Sequence, residues 1–472
     1  MGVLFQAVNN FFNFIVPIAD FLWEFPTNFQ WYQNIPVLGN FAFAVILLLG
    51  TGIYLTFKTG FIQVMAFKKG IKILATKKET DTGISSLASF LLSSAMRVGP
   101  GNIMGVTGAI SVGGPGALFW MWVSAFFGMS TAFVESVLAQ LFKEKNGKEY
   151  VGGLPFYGQK ILGNKRWVGV VLSSLFIIYA LFVIPSQAFH LFTSFGSIAD
   201  TVTGKTFGRQ STVYYGIAIV LIITVLLTVI GGIKRVTAVT DIMVPIMAVI
   251  YTVVVLLIIL VNLDKVPYFF KAVIGGAFKP NALFGGAFGV ALAQGIKRGL
   301  MSNEAGQGTI TMAAATAENN HPAEQGFVQC LGVFLDTMVI CSMTGFLVVM
   351  AHVWTGTAGV AWESIQASKL TVYLSSVKYL VPGIALDGTV TIIVSLCYGM
   401  FAFTTLLGLI LFAEVSANLI SRNKKFIMGI RLLGALFFVP FGALTVLAGL
   451  ELTNLWYIGD FVNIVLVYVN VP

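Results

Sequence analysis

Long apolar stretches recur along the whole chain and are separated by shorter polar or glycine-rich segments. A helix needs roughly 20 apolar residues to cross a bilayer, and eleven stretches approach or exceed that length. They lie near residues 37–57, 84–112, 117–142, 167–190, 212–232, 238–262, 283–317, 325–352, 389–417, 426–447 and 454–470. The pattern predicts an all-α polytopic membrane protein with eleven transmembrane helices. The aromatic, amphipathic segment 1–36 is predicted to form one or two helices on the outer membrane surface, not a span.

Two of the predicted spans are interrupted near their centres. The first contains Gly99-Pro100-Gly101-Asn102-Ile103, and the second contains Gly306-Gln307-Gly308-Thr309-Ile310. Glycine and proline weaken the interior of a helix, and broken backbone is tolerated in lipid only where protein or water satisfies its N–H and C=O groups. A pair of such breaks indicates a transporter binding site near the middle of the membrane.

The two breaks also align as an internal repeat. A shift of 207 positions places Gly99 on Gly306 and brings the glycines two places further on into register as well. The broken spans are five places apart in span order, so the two copies must cross the membrane in opposite directions. We therefore predict a 5+5 inverted repeat, with units at 84–262 and 282–470 and one extra helix before them at 37–57.

A second register for the later break stays open at this point. The glycine-rich run Gly285–Gly289 is an alternative break, which would leave residues 302–308 as a cytoplasmic turn. Lys297 and Arg298 favour this alternative, because charged side chains near mid-membrane are costly. The glycine spacing favours the break at Gly306.

Composition and charge agree with a membrane protein and give it an orientation. The chain is 57% hydrophobic and only 10% charged, unlike a soluble domain. Of its 28 Lys and Arg residues, seventeen fall in alternate loops, including basic loops at 58–78 and 143–166, and seven fall in the opposite loops. The positive-inside rule therefore places the N-terminus outside and the C-terminus in the cytoplasm. The net charge of +9 lies mainly in these loops and does not indicate nucleic-acid binding.

The sequence gives little support for catalysis or for nucleotide binding. The chain shows no paired catalytic groups and no phosphate-binding loop. The few cysteines and histidines are isolated and are expected to be structural; they are Cys330, Cys341, Cys397, His190, His321 and His352. We predict no enzyme, no cofactor and no obligate protein partner. The expected partners are the lipid bilayer and the transported solutes.

Four runs of sequence together resemble the alanine or glycine:cation symporter family. They are the Gly-x-Gly-Asn-Ile motif of the first break, Gly113-Gly-Pro-Gly-Ala-Leu-Phe-Trp-Met-Trp122, Arg298-Gly-Leu-Met-Ser-Asn-Glu-Ala-Gly-Gln-Gly308 and Phe401-Ala-Phe-Thr-Thr-Leu-Leu-Gly408. The resemblance implies a LeuT-type fold and sodium-coupled uptake of a small amino acid. Arg97 and Pro100 depart from the family pattern, which usually has a small or hydroxyl residue and a threonine there.

The breaks offer groups that suit an amino-acid zwitterion. Half-helix N-termini present N–H groups to a carboxylate, and half-helix C-termini present carbonyls to an ammonium group. Pro100 has no N–H, so the first break relies on its glycines and on Asn102. The candidate substrate ligands at the breaks are Gly99, Gly101, Asn102, Asn303, Gly306, Gln307 and Gly308. The alternative is that these residues only pack the break.

Three further polar residues are candidate substrate ligands. A guanidinium in a span costs at least ~2.5–3.5 kcal/mol unless it is paired or hydrated. Arg97 is therefore expected either to face the cavity, where it binds a carboxylate or pairs with Glu304, or to snorkel or cap local carbonyls. Glu304 is expected to hold the substrate ammonium or to pair with a basic residue. Gln187 resembles a family substrate ligand, although an amide there can also bond a neighbouring helix.

Neighbouring hydroxyl groups in a later span point to a cation site. Sodium, like other hard cations, prefers a cage of oxygen ligands. The resemblance implies that Thr404 and Thr405 hold a sodium ion together with the carbonyls of Ala95 and Val98. The alternative is hydrogen bonding of the threonines within their own helix. Asp336 is expected either in a second cation site or in an ion pair with Lys297 or Arg298.

The sequence as a whole predicts a secondary active transporter in the cell membrane. The expected activity is sodium-coupled symport of a small neutral amino acid, alanine or glycine, into the cell by alternating access. Coupling to protons or a different amino-acid selectivity is the alternative, because Arg97 and Glu304 lie at the breaks. A channel fits less well, since two breaks suggest a pocket that can be occluded.

Overall fold

The protein is described here from a computed structural model, which covers residues 2–35, 38–76, 80–278, 288–357, 369–381, 383–450 and 452–472. The regular structure of these residues is helical except for one antiparallel hairpin, formed by β1 (Glu144–Asn146) and β2 (Glu149–Val151). Helices dominate because each one satisfies its own backbone hydrogen bonds, which lipid cannot do.

The first half of the chain forms twelve helices within these residues. They are α1 (Gly2–Phe11), α2 (Ile15–Glu24), α3 (Gln30–Gln33), α4 (Phe43–Lys58), α5 (Ile62–Ala75), α6 (Ser86–Arg97), α7 (Gly101–Gly113), α8 (Gly116–Leu141), α9 (Leu154–Ile161), α10 (Arg166–Thr203), α11 (Thr212–Ile230) and α12 (Gly232–Val261).

The second half adds ten helices in the described residues. They are α13 (Val266–Phe278), α14 (Phe288–Asn303), α15 (Ile310–Thr316), α16 (Ala323–Val333), α17 (Ser342–Ala351), α18 (Lys369–Leu380), α19 (Ile384–Ile420), α20 (Lys424–Leu433), α21 (Val439–Leu447) and α22 (Thr453–Asn470). Two π-helical turns, Phe334–Cys341 and Gly434–Phe438, join α16 to α17 and α20 to α21. Short 3-10 turns lie at Phe12–Phe14, Leu38–Asn40, Leu263–Lys265 and Val353–Thr357.

Membrane-spanning length is met by eight helices among the described residues, or nine if the bent pair α4 and α5 counts as one span. The eight include Gly2–Glu24, which the sequence analysis assigned to the membrane surface. The halves of the first broken span are too short to count, since α6 has 12 residues and α7 has 13. The structure is thus a multi-pass helical membrane protein, and eleven spans in a 5+5 arrangement stay a prediction.

The two basic loops contain secondary structure that the sequence analysis missed. Helix α5 lies inside the first loop and bends by 76° from α4. Its buried residues Ile62, Ala66 and Gly70 recur at helical spacing, while Lys68, Lys69 and Lys72 stay exposed. An amphipathic helix of this kind is too short and too charged to resemble a span. The second loop contains the β-hairpin and α9.

The core is closely packed around small residues. Helix α14 lies against α8, where a Cβ added at Gly295 would overlap the carbonyl group of Ala117. Gly116 meets Gly276 of α13 in the same manner. Small residues let helices approach closely in a membrane, where burial of apolar surface from lipid gives little driving force. All three cysteines are buried and free, as expected for core residues.

Both predicted breaks are present. The first separates α6 from α7 at residues 98–100, and the second separates α14 from α15 at residues 304–309. Gly306 and Gly308 have φ angles of 85° and 76°, a left-handed conformation that glycine adopts without strain. The break at Gly306 is therefore confirmed. Most of the alternative at Gly285–Gly289 lies in 279–287, outside the described residues.

The chain leading into α6 runs beside the chain leaving α15. Ile84 and Ala317 form a parallel bridge, in which the Ile84 N–H donates to the Thr316 carbonyl (3.1 Å) and the Glu318 N–H donates to the Ile84 carbonyl (2.8 Å). Lys143 at the end of α8 caps this corner, with its Nζ 2.5 Å from the Ala317 carbonyl oxygen. The two broken helices are thus joined at one end of the bundle.

Two ion pairs with contrasting environments form among the described residues. Glu414 of α19 pairs with Arg431 of α20, and these side chains are 3% and 14% exposed. Glu144 of the hairpin pairs with Arg422, and these side chains are 43% and 50% exposed.

We predict that Glu414→Gln lowers the stability of the protein by about 3 kcal/mol, the low end for a buried pair, because it leaves the largely buried Arg431 without its counter-charge. Glu144→Gln is the matched control, with a loss of about 1 kcal/mol or less, because water screens an exposed pair. Unfolding of the purified protein in detergent measures both. Equal effects of the two substitutions would contradict this difference.

Candidate functional site

Asn102 fastens the first break. Its Oδ1 accepts the N–H of Gly99 at 2.8 Å. A backbone N–H can only donate, so this bond fixes the orientation of the amide. The Nδ2 therefore points the other way and donates to Asp336 Oδ1 at 2.6 Å and to Ser302 Oγ at 3.3 Å. Asn102 is fully buried, and it connects the first break to α14 and to the π-helical turn after α16.

Asp336 lies in that π-helical turn and is fully buried. Besides the amide of Asn102, the hydroxyl groups of Ser302 and Thr337 each donate to its Oδ2 at 2.8 Å. The expected ion pair of Asp336 with a basic residue of α14 is wrong for this structure. Lys297 instead lies over the ring of Trp23, 5.0 Å from its centre, where the aromatic face stabilises the charge.

Arg298, the other expected partner of Asp336, donates to Met301 Sδ on its own helix at 3.3 Å. The sequence analysis did not select Ser302 or Thr337. Single hydroxyl residues in apolar helices carry too little signal, since most of them bond a carbonyl of their own helix.

Glu135 of α8 holds the second break. Its carboxylate accepts the N–H groups of Gly306 and Gly308, each at 3.2 Å. Asn470 adds a third bond to the carboxylate at 2.9 Å and also donates to the Gly306 carbonyl. One buried carboxylate thereby satisfies two N–H groups that the break leaves without helical partners. Glu135 was not among the residues predicted from the sequence, although a lone carboxylate in an apolar span is itself a signal of a functional site.

The other polar residues of the second break also bond locally. Thr309 Oγ1 donates to Glu304 Oε2 at 2.8 Å, and Gln307 Nε2 donates to the Leu300 carbonyl at 2.9 Å. Asn303 Nδ2 donates to Thr337 Oγ1 at 3.2 Å. All four of these break residues are buried, so the second break is packed inside the protein and does not lie on its surface.

Arg97 crosses from the first break to the second. Its Nε donates to the carbonyl of Asn303 at 3.0 Å, and its Nη1 donates to Gln329 Oε1 on α16 at 2.9 Å. The side chain is 2% exposed, and its Nη2 is buried without a hydrogen-bond partner. The expected ion pair with Glu304 is wrong for this structure, because the guanidinium caps the end of α14 and Glu304 accepts from Thr309.

Gly332 of α16 makes room for this guanidinium. A Cβ added at Gly332 would overlap Arg97 Nη1. Gln329 and Gly332 are three residues apart on one face of α16, and Asp336 follows four residues later in the π-helical turn that continues this helix. Arg97 therefore lies on the face that carries Asp336, although neither Gln329 nor Gly332 was selected from the sequence.

Only some of the residues predicted to bind a cation lie together at the first break. Thr405 Oγ1 donates to the carbonyl of Ala95 at 3.1 Å, and a Cβ added at Gly99 would lie 2.6 Å from the same hydroxyl. Val98 is buried in the break beside them. Thr404 instead forms the hydrogen bond within its own helix that was the alternative prediction: its hydroxyl donates to the Met400 carbonyl at 3.0 Å. The structure thus gathers Ala95, Val98 and Thr405 at the first break.

Gln187 is on the long helix α10. It precedes His190 and Ser194 at helical spacing, so the three residues lie on one face. That face meets α19, where His190 Nδ1 is 2.8 Å from the hydroxyl oxygen of Tyr398. Gln187 Oε1 is buried without a hydrogen-bond partner. Among the described contacts, the structure does not join Gln187 to either break by a hydrogen bond.

Comparison with known proteins agrees with this architecture. The model of the sodium:alanine symporter family matches residues 28–472. The amino-acid carrier protein AlsT of Bacillus subtilis is 33% identical over 93% of this chain and 85% of its own length. The sodium/alanine symporter AgcS of Methanococcus maripaludis is 34% identical over 89% and 88%.

A solved structure gives the same fold. The crystal structure of MhsT in complex with L-phenylalanine superposes with a TM-score of 0.52 and 13% identity, over 84% of this chain and all of that one. The likeness in fold is to a LeuT-type protein, as the sequence resemblance implied.

We predict that Glu135→Gln loosens the second break, because a carboxamide cannot accept both N–H groups as the carboxylate does. An unsatisfied buried N–H costs about 1–3 kcal/mol. Amide exchange at residues 304–309 should therefore become about tenfold faster or more, as measured by hydrogen-exchange mass spectrometry. Glu24→Gln, on the exposed side of α2, is the control. Unchanged exchange in Glu135→Gln would show that the carboxylate does not hold the break.

Proposed function

The chain belongs to the sodium:alanine symporter family, and from that premise we propose that it couples sodium entry to the uptake of a small neutral amino acid. Membership in a family of transporters makes it a secondary transporter and confirms the sequence-based exclusion of an enzyme. Alanine and glycine are the substrates that we propose.

The contact between the two helix breaks is the observation that carries this proposal. Arg97 bonds Asn303 at 3.0 Å, and Asn102 approaches Ser302 at 3.3 Å, so the loose ends of both broken helices meet inside the protein. Two such ends supply N–H groups, carbonyls and side-chain amides at one place. A zwitterion needs this mixture of donors and acceptors, because its two charged groups must both be satisfied in lipid.

Open space borders α7 where a carboxylate would bind. Gly101 is the first residue of α7 and is exposed, although the residues around it are buried. Cβ atoms added at Gly101 or Gly105 would meet nothing within 4 Å. A helix N-terminus favours an anion, so we place the substrate carboxylate at the N–H of Gly101. In this proposal the remaining candidates Asn102, Gln187, Asn303, Glu304 and Gln307 orient the rest of the substrate.

A sodium ion fits the group formed by the carbonyls of Ala95 and Val98 and the hydroxyl of Thr405. Thr405 Oγ1 already lies 3.1 Å from the Ala95 carbonyl oxygen, and both belong to the oxygen class that hard cations prefer. Thr404 joins the site only if its hydroxyl leaves the Met400 carbonyl. Substrate and sodium would then lie on the same broken helix, which couples their binding.

The end of the bundle where the two broken helices are bridged suggests how access could alternate. The bridge between Ile84 and Ala317 joins the two broken helices at the end that the charge distribution assigns to the cytoplasm. We propose that this bridge opens to release solute into the cell, and that the two inverted five-helix units move against each other around the breaks. The N-terminus lies outside and the C-terminus inside in this scheme.

Proton coupling is the second candidate. Glu135, Glu304 and Asp336 are buried carboxylates at the breaks, and none of them forms an ion pair within the described residues. Carboxylates inside a membrane are the side chains that relay protons in many pumps and transporters.

We predict that an inward sodium gradient drives accumulation of radiolabelled alanine in proteoliposomes, whereas a proton gradient alone does not. Competition by a panel of unlabelled amino acids identifies the preferred substrate. A protein that equilibrates alanine without concentrating it would be a channel, and accumulation driven by protons without sodium would establish the second candidate.

We predict that Thr405→Ala raises the sodium concentration for half-maximal uptake by about tenfold or more, because the ion loses an oxygen ligand. Thr405→Ser keeps the hydroxyl and should behave like the parent protein. Thr404→Ala should have a smaller effect, since that hydroxyl bonds its own helix. If the double variant with alanine at both positions keeps its sodium dependence, the site lies elsewhere.

A further inference from the structure

The guanidinium of Arg97 lies where a broken helix attracts a cation. It donates to the carbonyl of Asn303, which is the last residue of α14. The C-terminal end of a helix carries partial negative charge, and half-helix C-terminal ends are where transporters of this kind hold their coupling ions. A side chain of this protein therefore already occupies one such position.

Two residues of α16, Gln329 and Gly332, accommodate the guanidinium of Arg97. Gly332 leaves the space that Nη1 fills, and Gln329 supplies an acceptor for it. Any larger residue at position 332 would displace the charge. Both partners are on α16, so the guanidinium joins three parts of the fold: the first break, the second break and the helix that carries Asp336.

The groups beside Asp336 are engaged with its carboxylate in this structure. Three groups face this carboxylate, and all three are hydrogen-bond donors: the amide of Asn102 and the hydroxyls of Ser302 and Thr337. The Asn102 oxygen, which a cation would need, is turned away to Gly99. A hard cation needs several converging oxygens, so a cation cage here would require the Asn102 amide to turn, whereas the donors in place already stabilise the carboxylate.

The charges buried at the breaks also direct attention to Arg97. Three buried carboxylates, Glu135, Glu304 and Asp336, lie at or beside the breaks that Arg97 connects. Buried charge is costly unless it is compensated nearby. Arg97 is the basic side chain that forms hydrogen bonds at the breaks within the described residues.

We propose that Arg97 takes the place of a second coupling cation, so that the transporter moves one sodium ion with each amino acid. This inference rests on the proposed function and specifies its coupling ratio. The guanidinium stays in the protein through every cycle and cannot carry charge across the membrane. Its Nη2, which has no partner in the protein, donates to the substrate carboxylate, as a bound cation would attract it.

The coupling ratio is measured with the purified full chain in proteoliposomes, using radiolabelled alanine or the substrate that competition identifies. The membrane potential is held at zero with potassium and valinomycin. Under an about tenfold sodium gradient, one ion per substrate balances an about tenfold substrate gradient, whereas two ions balance an about hundredfold gradient, since free energies add. We expect net flux to stop at the about tenfold gradient.

Two substitutions then test whether Arg97 is the cause. Arg97→Gln keeps a polar side chain and removes the charge, and we expect the apparent affinity for substrate to fall by about tenfold or more, the effect of losing a charged hydrogen bond to a carboxylate. Arg97→Lys, the matched control, keeps the charge and should lose less. Gly332→Ala should resemble Arg97→Gln although the charge is still present, because the guanidinium is displaced.

The outcomes separate this inference from the proposed function. If sodium drives no accumulation, the proposed function fails. If sodium drives accumulation but two ions move per substrate, the proposed function stands and the role of Arg97 is wrong; this measurement needs no variant. A ratio of one with unchanged affinity in a folded Arg97→Gln protein also overturns the inference, since the charge would then have no part in substrate binding.

Discussion

Backbone groups that lose their helical partners inside a membrane must find new partners, and this requirement organises the centre of the protein. In the first break the N–H of Gly99 turns to the side chain of Asn102. In the second, the N–H groups of Gly306 and Gly308 turn to Glu135. Each partner comes from a residue that lipid would otherwise exclude. The polar interior of the protein is thus a consequence of the breaks as well as their support.

Local rules were sufficient to locate the breaks. Gly306 and Gly308 adopt positive φ angles, which glycine does without strain, whereas Glu304 adopts one in the same break without that signal in its residue type. The partners of the breaks could not be located in this way. Arg97 meets Asn303 across 206 positions and Glu135 meets Gly306 across 171, and such contacts depend on tertiary packing. The same reason explains why Arg97 was expected to pair with Glu304, a plausible neighbour by charge alone.

Most of the long helices, like the breaks, could be predicted from the sequence, but some elements could not. Segments with sustained apolar content became helices, because burial from water and internal hydrogen bonding both favour that form in lipid. Helix α5 was missed, since its lysines resemble a loop until their one-sided placement is considered. The ligand roles proposed for Gln187, Thr404 and Asp336 depend on where side chains point, which repeated patterns along a sequence do not specify. Thr404 turning to its own helix illustrates this limit.

The bridge between Ile84 and Ala317 affects how this end of the bundle tolerates sequence change. Its two hydrogen bonds join main-chain atoms only, so almost any side chains at these positions leave the bonds intact. Proline at 84 or at 318 is the exception, because each substitution would remove one of the two donating N–H groups. The connection therefore depends on the path of the backbone more than on the identity of the residues. The surrounding side chains can differ while the two hydrogen bonds persist.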